Sequence, residues 1–284
     1  MKIGMSIPFD FFTEEPQSGA ALILKNHFGT YQDFLPQLSG AGVNSIELRS
    51  LGYRTDKETV ENISRKLWKL GFCISIHSAV PENERMDAYS FLSFLENTLP
   101  HMGSFQEDLI LVIHSYRGSD FSYEYLLNKS VKAIQIIAEY IEQKKLPLKI
   151  ALELNRGKRE YDPSTSYEGL LELKAMIGHS GSVGFCWDFG HAYSNHLNGI
   201  IPIGAPAEFI SAVIQTHIHG VSKDDKTHCL LSENNLPLGQ FISQLNRAKY
   251  DRTFNLEINP GEIPPGANAI VSIKNSITCL MKNL

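Results

Sequence analysis

Acidic and imidazole side chains recur along this chain in short, mostly apolar settings. Glu47 stands in IELRS, His77 in SIHSA, His114 in VIHSY, Glu153 in ALELNRG, Asp188 in CWDFGHAY, His217 and His219 in THIHG, and Glu257 in NLEINPG. Each lies near the C-terminal end of a run that reads as a β-strand. Buried carboxylates and imidazoles brought to one point repel or desolvate one another unless something compensates. A divalent cation is the simplest compensation, and mixed His, Asp and Glu ligands suit Zn, Mn, Fe or Co. One such residue at a strand end is ordinarily just hydrogen-bonded; the same feature on strand after strand points to metal. His191, three residues after Asp188, and His228, in KTH, fit the same face.

A scaffold that ends many strands at one place is needed to gather them. β-rich runs at 3–7, 45–49, 73–79, 109–116, 149–155, 183–189, 215–219 and 253–258 predict eight strands. Helical patterns lie between and after them, at 57–70, 88–99, 125–143, 167–177, 206–213, 238–248 and 267–281. Asp56 and Ser166 are placed as N-caps, and Gly71 and Gly178 as C-cap glycines. Strict βα alternation implies parallel strands with right-handed crossovers. Eight units predict an α/β fold of the closed (βα)8 type, one domain over 1–284. Two stretches read as long loops, 9–29 after strand 1 and 195–205 after strand 6. Loops after strands lie on the catalytic face of such a barrel, so these either shape a pocket or are surface insertions.

Alternation across a strand divides its side chains into two faces. Ile150, Leu152 and Leu154 oppose Ala151, Glu153 and Asn155; Val183, Phe185, Trp187 and Phe189 oppose Gly184, Cys186 and Asp188. Phe254, Leu256 and Ile258 oppose Asn255, Glu257 and Asn259, while Ser75, His77 and Ala79 share a face against Ile74 and Ile76. Large apolar faces must pack on helices, so the small and polar faces line the barrel. His217 and His219 share one face, and parity does not choose between them.

Composition narrows the partners. The net charge of −5, from 26 basic and 31 acidic residues, gives no electrostatic reason to expect nucleic acid or an anionic membrane. Arg156, Lys158 and Arg159 form the one clear basic cluster. The opening MKIGMSIPFD lacks the apolar core and cleavage site of a secretory signal. No apolar run approaches the roughly 18 residues of a membrane span. Cys73, Cys186, Cys229 and Cys279 are widely spaced without a CxxC pair, which suggests neither a disulfide framework nor a structural zinc site. A cytoplasmic protein without a membrane partner is expected.

In their order and strand placement, these motifs resemble the xylose isomerase-like TIM-barrel superfamily, in the branch shared by endonuclease IV and the sugar phosphate isomerases and epimerases. The resemblance covers nearly the whole chain. It implies that Glu153, Asp188, His217 and Glu257 hold the metal common to the superfamily, leaving His219 at the rim as a substrate contact. It further implies that His77 and His114 complete a second site, with Glu153 bridging, as in the endonuclease IV branch. A third metal there would need His191, His228 and an aspartate two residues before His228. This sequence has Lys226 at that point, with Asp224 and Asp225 nearby. The Ala-Gly-rich turn of the nuclease branch after strand 5 is replaced by NRGKRE, and the Gly-x-Gly-like turn after His228 reads SEN. The cofactor expected is one to three ions of Zn, Mn, Co or Fe.

Two activities follow from the resemblance. The first is a metal-dependent isomerase or epimerase acting on a sugar, sugar phosphate or related polyol. There the metal chelates a carbonyl and adjacent hydroxyl, and a carboxylate moves the carbon-bound proton through an enediolate. Glu153 and Glu257 would be the acid/base pair, with Asn155, Arg156, His191 and His219 against hydroxyls; Glu47 is a further metal or substrate candidate. Arg156 stands one residue earlier than its counterpart in the epimerases. The second is an endonuclease IV-like multinuclear phosphodiesterase, an apurinic-site endonuclease or other phosphoester hydrolase. His77 and His114 speak for it; the acidic charge balance, Lys226 and NRGKRE speak against it. Dehydration of a cyclitol and ligand binding without turnover complete the readings. A small sugar-like molecule is the expected partner, and a homo-oligomer is a family-level expectation.

Overall fold

The computed structural model describes residues 1–51, 57–78, 92, 109–157, 162–179, 181–266 and 268–284. Eight strands, β1 (Lys2–Pro8), β2 (Ser45–Leu51), β3 (Cys73–Ser78), β4 (Leu109–Ile113), β5 (Leu148–Glu153), β6 (Val183–Asp188), β7 (Val213–Ile218) and β8 (Thr253–Leu256), pair in parallel in chain order. β8 pairs back on β1 and closes the barrel. The surrounding helices are α1 (Gly19–Phe28), α2 (Tyr31–Ser39), α3 (Lys57–Lys69), α4 (Tyr123–Lys144), α5 (Tyr167–Ile177), α6 (Phe189–Leu197), α7 (Ala207–Ser211), α8 (Leu238–Arg247) and α9 (Asn268–Met281). Most of the helix expected over 88–99, together with Asp56, Ala79, Lys158 and Arg159, falls outside the described residues. Among the described residues no helix is long and apolar enough to cross a membrane.

Both stretches read as long loops contain helix. After a 3-10 turn at Phe9–Phe12, the Ser18 hydroxyl caps α1 by accepting from Ala21 N at 3.2 Å. Ala21, Leu24 and Phe28 then bury one side of the helix, and Gly29, at φ 72°, ends it. This amphipathic pattern is short, which is why it reads as a loop. Phe189 begins α6 instead of ending β6, because the Asp188 carboxylate caps the helix through His191 N at 2.7 Å. Elsewhere the caps follow the sequence: Ser166 accepts from Gly169 N at 3.0 Å, and Gly178 takes the left-handed conformation at φ 79°.

Parity sorts the core. Outward-facing Phe185 and Trp187 join Phe189, Phe209 and Phe241 between sheet and helices, with Phe185 stacked on Phe209 at 4.7 Å and Trp187 against Phe241 at 5.3 Å. Inside the barrel, Ile110, Val112, Ala151 and Cys186 form a compact apolar cluster. The ionisable side chains lie further toward the C-terminal strand ends. Because Trp187 is fully buried among aromatic rings, Trp187→Ala should cost roughly 3–5 kcal/mol in urea unfolding. A loss below about 1 kcal/mol would mean that the aromatic layer does not hold this side of the barrel together.

Candidate metal centre

The strand ends deliver the site. Glu153 and Asp188 are the last residues of β5 and β6, and His77 and His217 the penultimate residues of β3 and β7. His114 and Glu257 follow directly on β4 and β8, Glu257 N still donating to Ile218 O at 3.0 Å. Glu47 lies within β2, paired in register with Ser6 and Ser75.

Glu153, Asp188, His217 and Glu257 each offer a ligand atom to one cluster, all within 4.8 Å of one another. His217 Nδ1 lies 3.0 Å from Glu257 Oε2, 3.3 Å from Glu153 Oε1 and 4.0 Å from Asp188 Oδ2. These separations suit a tetrahedral ion, whose bonds of about 2.0–2.2 Å place ligand atoms roughly 3.3–3.6 Å apart. His217 Nδ1, Asp188 Oδ2 and Glu257 Oε2 are buried and, among the described residues, make no hydrogen bond of good geometry. Orphaned polar atoms aimed at a common point are costly unless a cation joins them. The residues present therefore fit a divalent metal.

A second cluster joins His77, His114 and Glu153. His114 Nε2 is 2.9 Å from Glu153 Oε2, His77 Nε2 is 3.2 Å from the same oxygen, and the two imidazole nitrogens are 3.1 Å apart. Glu153 thus presents one oxygen to each cluster.

A third cluster gathers Asp188, His191, His219 and His228. His191 Nδ1 lies 3.3 Å from Asp188 Oδ2, and His219 Nε2 lies 3.1 Å from Asp188 Oδ1. The His219 ring stacks on that of His228 at 4.2 Å, and His228 N donates to His219 Nδ1 at 2.9 Å. Gly190 makes room for this packing, since a Cβ there would overlap the His219 ring. His228 sits at φ 59°, next to an antiparallel bridge between Gly220 and Cys229 that ties its loop down. Lys226 turns outward and pairs with Glu262. Asp225 is engaged by Arg156 at 2.6 Å, Ser194 at 2.6 Å and Asn198 at 3.0 Å. Arg156, on the loop after β5, therefore ties α6 through Ser194 and the loop after β7 through Asp225, and Asn155 donates its side-chain amide to Asp162 at 2.7 Å.

Electrostatics divides the six imidazoles. Burial opposes charge on every one of them. At His217 the buried Cys186 beside the ring, with the Glu47, Glu153 and Glu257 carboxylates, prevails over burial and holds its pKa well above the usual imidazole value. Glu153 prevails likewise at His114, and Asp188 at His219, so both are raised. Burial wins at His77 and His191, which are lowered, and burial with His219 alongside pushes His228 down to about 3. The carboxylates answer in kind. Burial would raise Glu153 and Glu257, but His217 above all, with His114 and His77 at Glu153 and His228 and His77 at Glu257, holds both well below the usual carboxylate range.

Three further residues of the site are not among those expected from the sequence, although Arg49 stands within IELRS. Arg49 reaches Glu257 Oε1 at 3.2 Å, and Ser6 and Gln215 donate to the Glu47 carboxylate, Gln215 at 3.1 Å. Parity could have found Arg49, two residues after Glu47, and Gln215, two before His217. A register shift between Arg49 and Leu51, with Ser50 at φ 63°, marks the end of β2 beside it.

Comparison with known proteins agrees with this architecture. Among solved structures, the chain is similar to a D-tagatose 3-epimerase-like protein, with 17% identity, TM-score 0.67 and 99% of each chain covered. It is similar to L-ribulose 3-epimerase, with 15% identity, TM-score 0.68, and 100% of this chain and 95% of that one covered. It is also similar to a probable 3-DHS dehydratase, AsbF, of petrobactin synthesis from Bacillus anthracis, with 17% identity, TM-score 0.65 and 99% of each chain covered. At these identities the likeness speaks for the fold. No curated protein matches the sequence. The family profile described as xylose isomerase-like TIM barrel matches residues 35–278, and the chain belongs to that family.

Proposed function

We propose that this protein, acting as one domain over its 284 residues, is a metal-dependent isomerase or epimerase of a sugar, sugar phosphate or related polyol. The observation that carries the reading is the four-ligand cluster in which two of the ligands, Glu153 and Glu257, are ionised carboxylates able to move protons. Similarity to structures described as sugar epimerases accords with it.

Glu153, Asp188, His217 and Glu257 would hold the ion. When bound, it supplies Lewis acidity to a substrate carbonyl and its neighbouring hydroxyl. Both glutamates stand as carboxylates at neutral pH, the form that accepts a proton from carbon. One takes that proton; the other, once it has taken a proton from water or a substrate hydroxyl, delivers it to the opposite face of the same carbon, inverting it, and solvent exchange resets the pair. Return to the adjacent carbon, with the hydroxyl proton passed to the carbonyl oxygen, gives the isomer instead. Arg49 keeps Glu257 oriented through Oε1. Beside Asp188, His228 is the part-exposed imidazole a hydroxylated substrate would meet, while His219 lies fully buried against it and holds Asp188 in place.

The His77–His114–Glu153 cluster favours one other reading, a multinuclear phosphoesterase that includes abasic DNA among its substrates. Metal analysis paired with two assays separates them. One equivalent of manganese or cobalt, with exchange of solvent deuterium into a ketose, is expected. Two or more equivalents of zinc with cleavage of abasic DNA would replace the sugar reading by the hydrolase. Glu257→Gln should reduce turnover at least about 100-fold, the scale of a lost general base; undiminished turnover would show the centre to be misassigned. Proton competition supplies a further check. His217 holds its proton above the ordinary imidazole pKa when the ion is absent, so ligation must displace it. Metal affinity should rise with pH until that raised pKa is passed. Calorimetry in buffers of different ionisation enthalpy should register about one proton released per ion near neutral pH.

A further inference from the structure

Glu47 is a fully buried carboxylate outside the four-ligand cluster. Its Oε1 accepts the Ser6 hydroxyl, and its Oε2 accepts from Gln215 Nε2 at 3.1 Å and faces His217 Nε2 at 3.0 Å. The donors are themselves tied: Asn255 Nδ2 donates to Ser6 Oγ at 3.1 Å, and Gln215 Nε2 lies 3.3 Å from Ser75 Oγ. Side chains of β1, β2, β3, β7 and β8 thus form one polar belt across the barrel interior. Both Glu47 oxygens already accept protein donors, and His77 Nδ1, at 3.8 Å from Oε1, lies beyond hydrogen-bond range.

We infer that Glu47 is a positioning residue for the metal centre, fixing His217 in the tautomer that presents an unprotonated Nδ1 to the ion. The inference rests on the reading above that His217 is a ligand. A neutral imidazole has one N–H, and an acceptor-only carboxylate beside Nε2 keeps it there. Once the ion has displaced the second proton, Nδ1 is bare, and it is the atom that faces Glu257 Oε2 at 3.0 Å and Glu153 Oε1 at 3.3 Å. The charge on Glu47 also makes Nδ1 a stronger donor, as a carboxylate behind a ligating histidine does. The belt explains why this carboxylate does not swing into the cluster: Ser6 and Gln215 hold it from behind while His217 meets it from the front. Glu47, His77 and His217 also bring ligand atoms within 4.8 Å of one another, but both Glu47 oxygens are already taken by Ser6, Gln215 and His217, which leaves the carboxylate behind the ligand.

Two measurements on the full chain test this. In the zinc-loaded protein labelled with 15N-histidine, and assigned against a His217→Gln variant, His217 should show a protonated Nε2 and a metal-bound Nδ1. The reverse pattern would overturn the inference without any variant of Glu47 having to fold. Glu47→Gln keeps the shape, and its amide oxygen can still accept from Gln215 and His217, so it removes the charge and turns a donor toward Ser6. Its zinc affinity, read by competition with a chromophoric chelator, should fall at least about tenfold, the lower end for loss of such a partner. Affinity within twofold of the unaltered protein, while Glu257→Gln loses zinc, would overturn the role of Glu47 and leave the metal centre standing. Retention of zinc by Glu257→Gln would overturn the ligand reading on which the inference rests.

Discussion

Four carboxylates, Glu47, Glu153, Asp188 and Glu257, stand almost wholly out of water inside one barrel. Left alone, such a group would protonate or push the fold apart, because desolvating a charge without a partner costs more than any local packing returns. The rest of the site is a response to that constraint. Six of the ten histidines and Arg49 converge on these four groups. His217 contacts Glu47, Glu153 and Glu257 at once. Where protons on imidazole supply the compensation, a divalent ion can displace them and take the same place. The site is thus a charge trap that the barrel holds open.

The barrel can hold it because charge and stability are kept in separate layers. Aromatic and aliphatic side chains on the outward faces bind sheet to helices, and the apolar cluster of Ile110, Val112, Ala151 and Cys186 fills the interior. The ionisable layer occupies only the strand ends. At the rim, the Arg156–Asp225 and Lys226–Glu262 pairs anchor the loop that carries His228 to the loops after β5 and β8. Lys226 shows how local the third cluster's departure is. That cation faces outward to Glu262, and His219, with Nε2 3.1 Å from Asp188 Oδ1, belongs to the third cluster beside it.

Much of the fold was legible because two periodicities leave strong marks. Alternation in ALELN and VGFCWD separates apolar outward faces from small or ionisable inward ones, and eight such runs spaced by helical patterns predict a closed barrel. What parity could not reveal were elements whose signal is short. α1 rests on three buried apolar residues and a serine cap. α6 begins where a strand pattern is still running, because the Asp188 cap changes the backbone direction within one residue. The helix expected over 88–99 lies largely outside the described residues.

By itself the sequence determined which side chains could meet: residue type and strand position are local properties, and a chain that alternates strands and helices must gather its strand ends. Only the tertiary structure decided how they meet. THIHG does not tell His217 from His219, since both share a face. In space His217 Nδ1 points at three carboxylates, while His219 packs over Gly190 against His228. IELRS does not say whether Glu47 binds an ion or a neighbour; that depends on Ser6, Gln215 and His217 arriving from β1 and β7. Such partnerships are set by closure of the barrel, which brings together residues as far apart in sequence as Ser6 and Asn255. No window of sequence contains that distance, and so the ring of strand-end ligands could be read in advance while its division of labour could not.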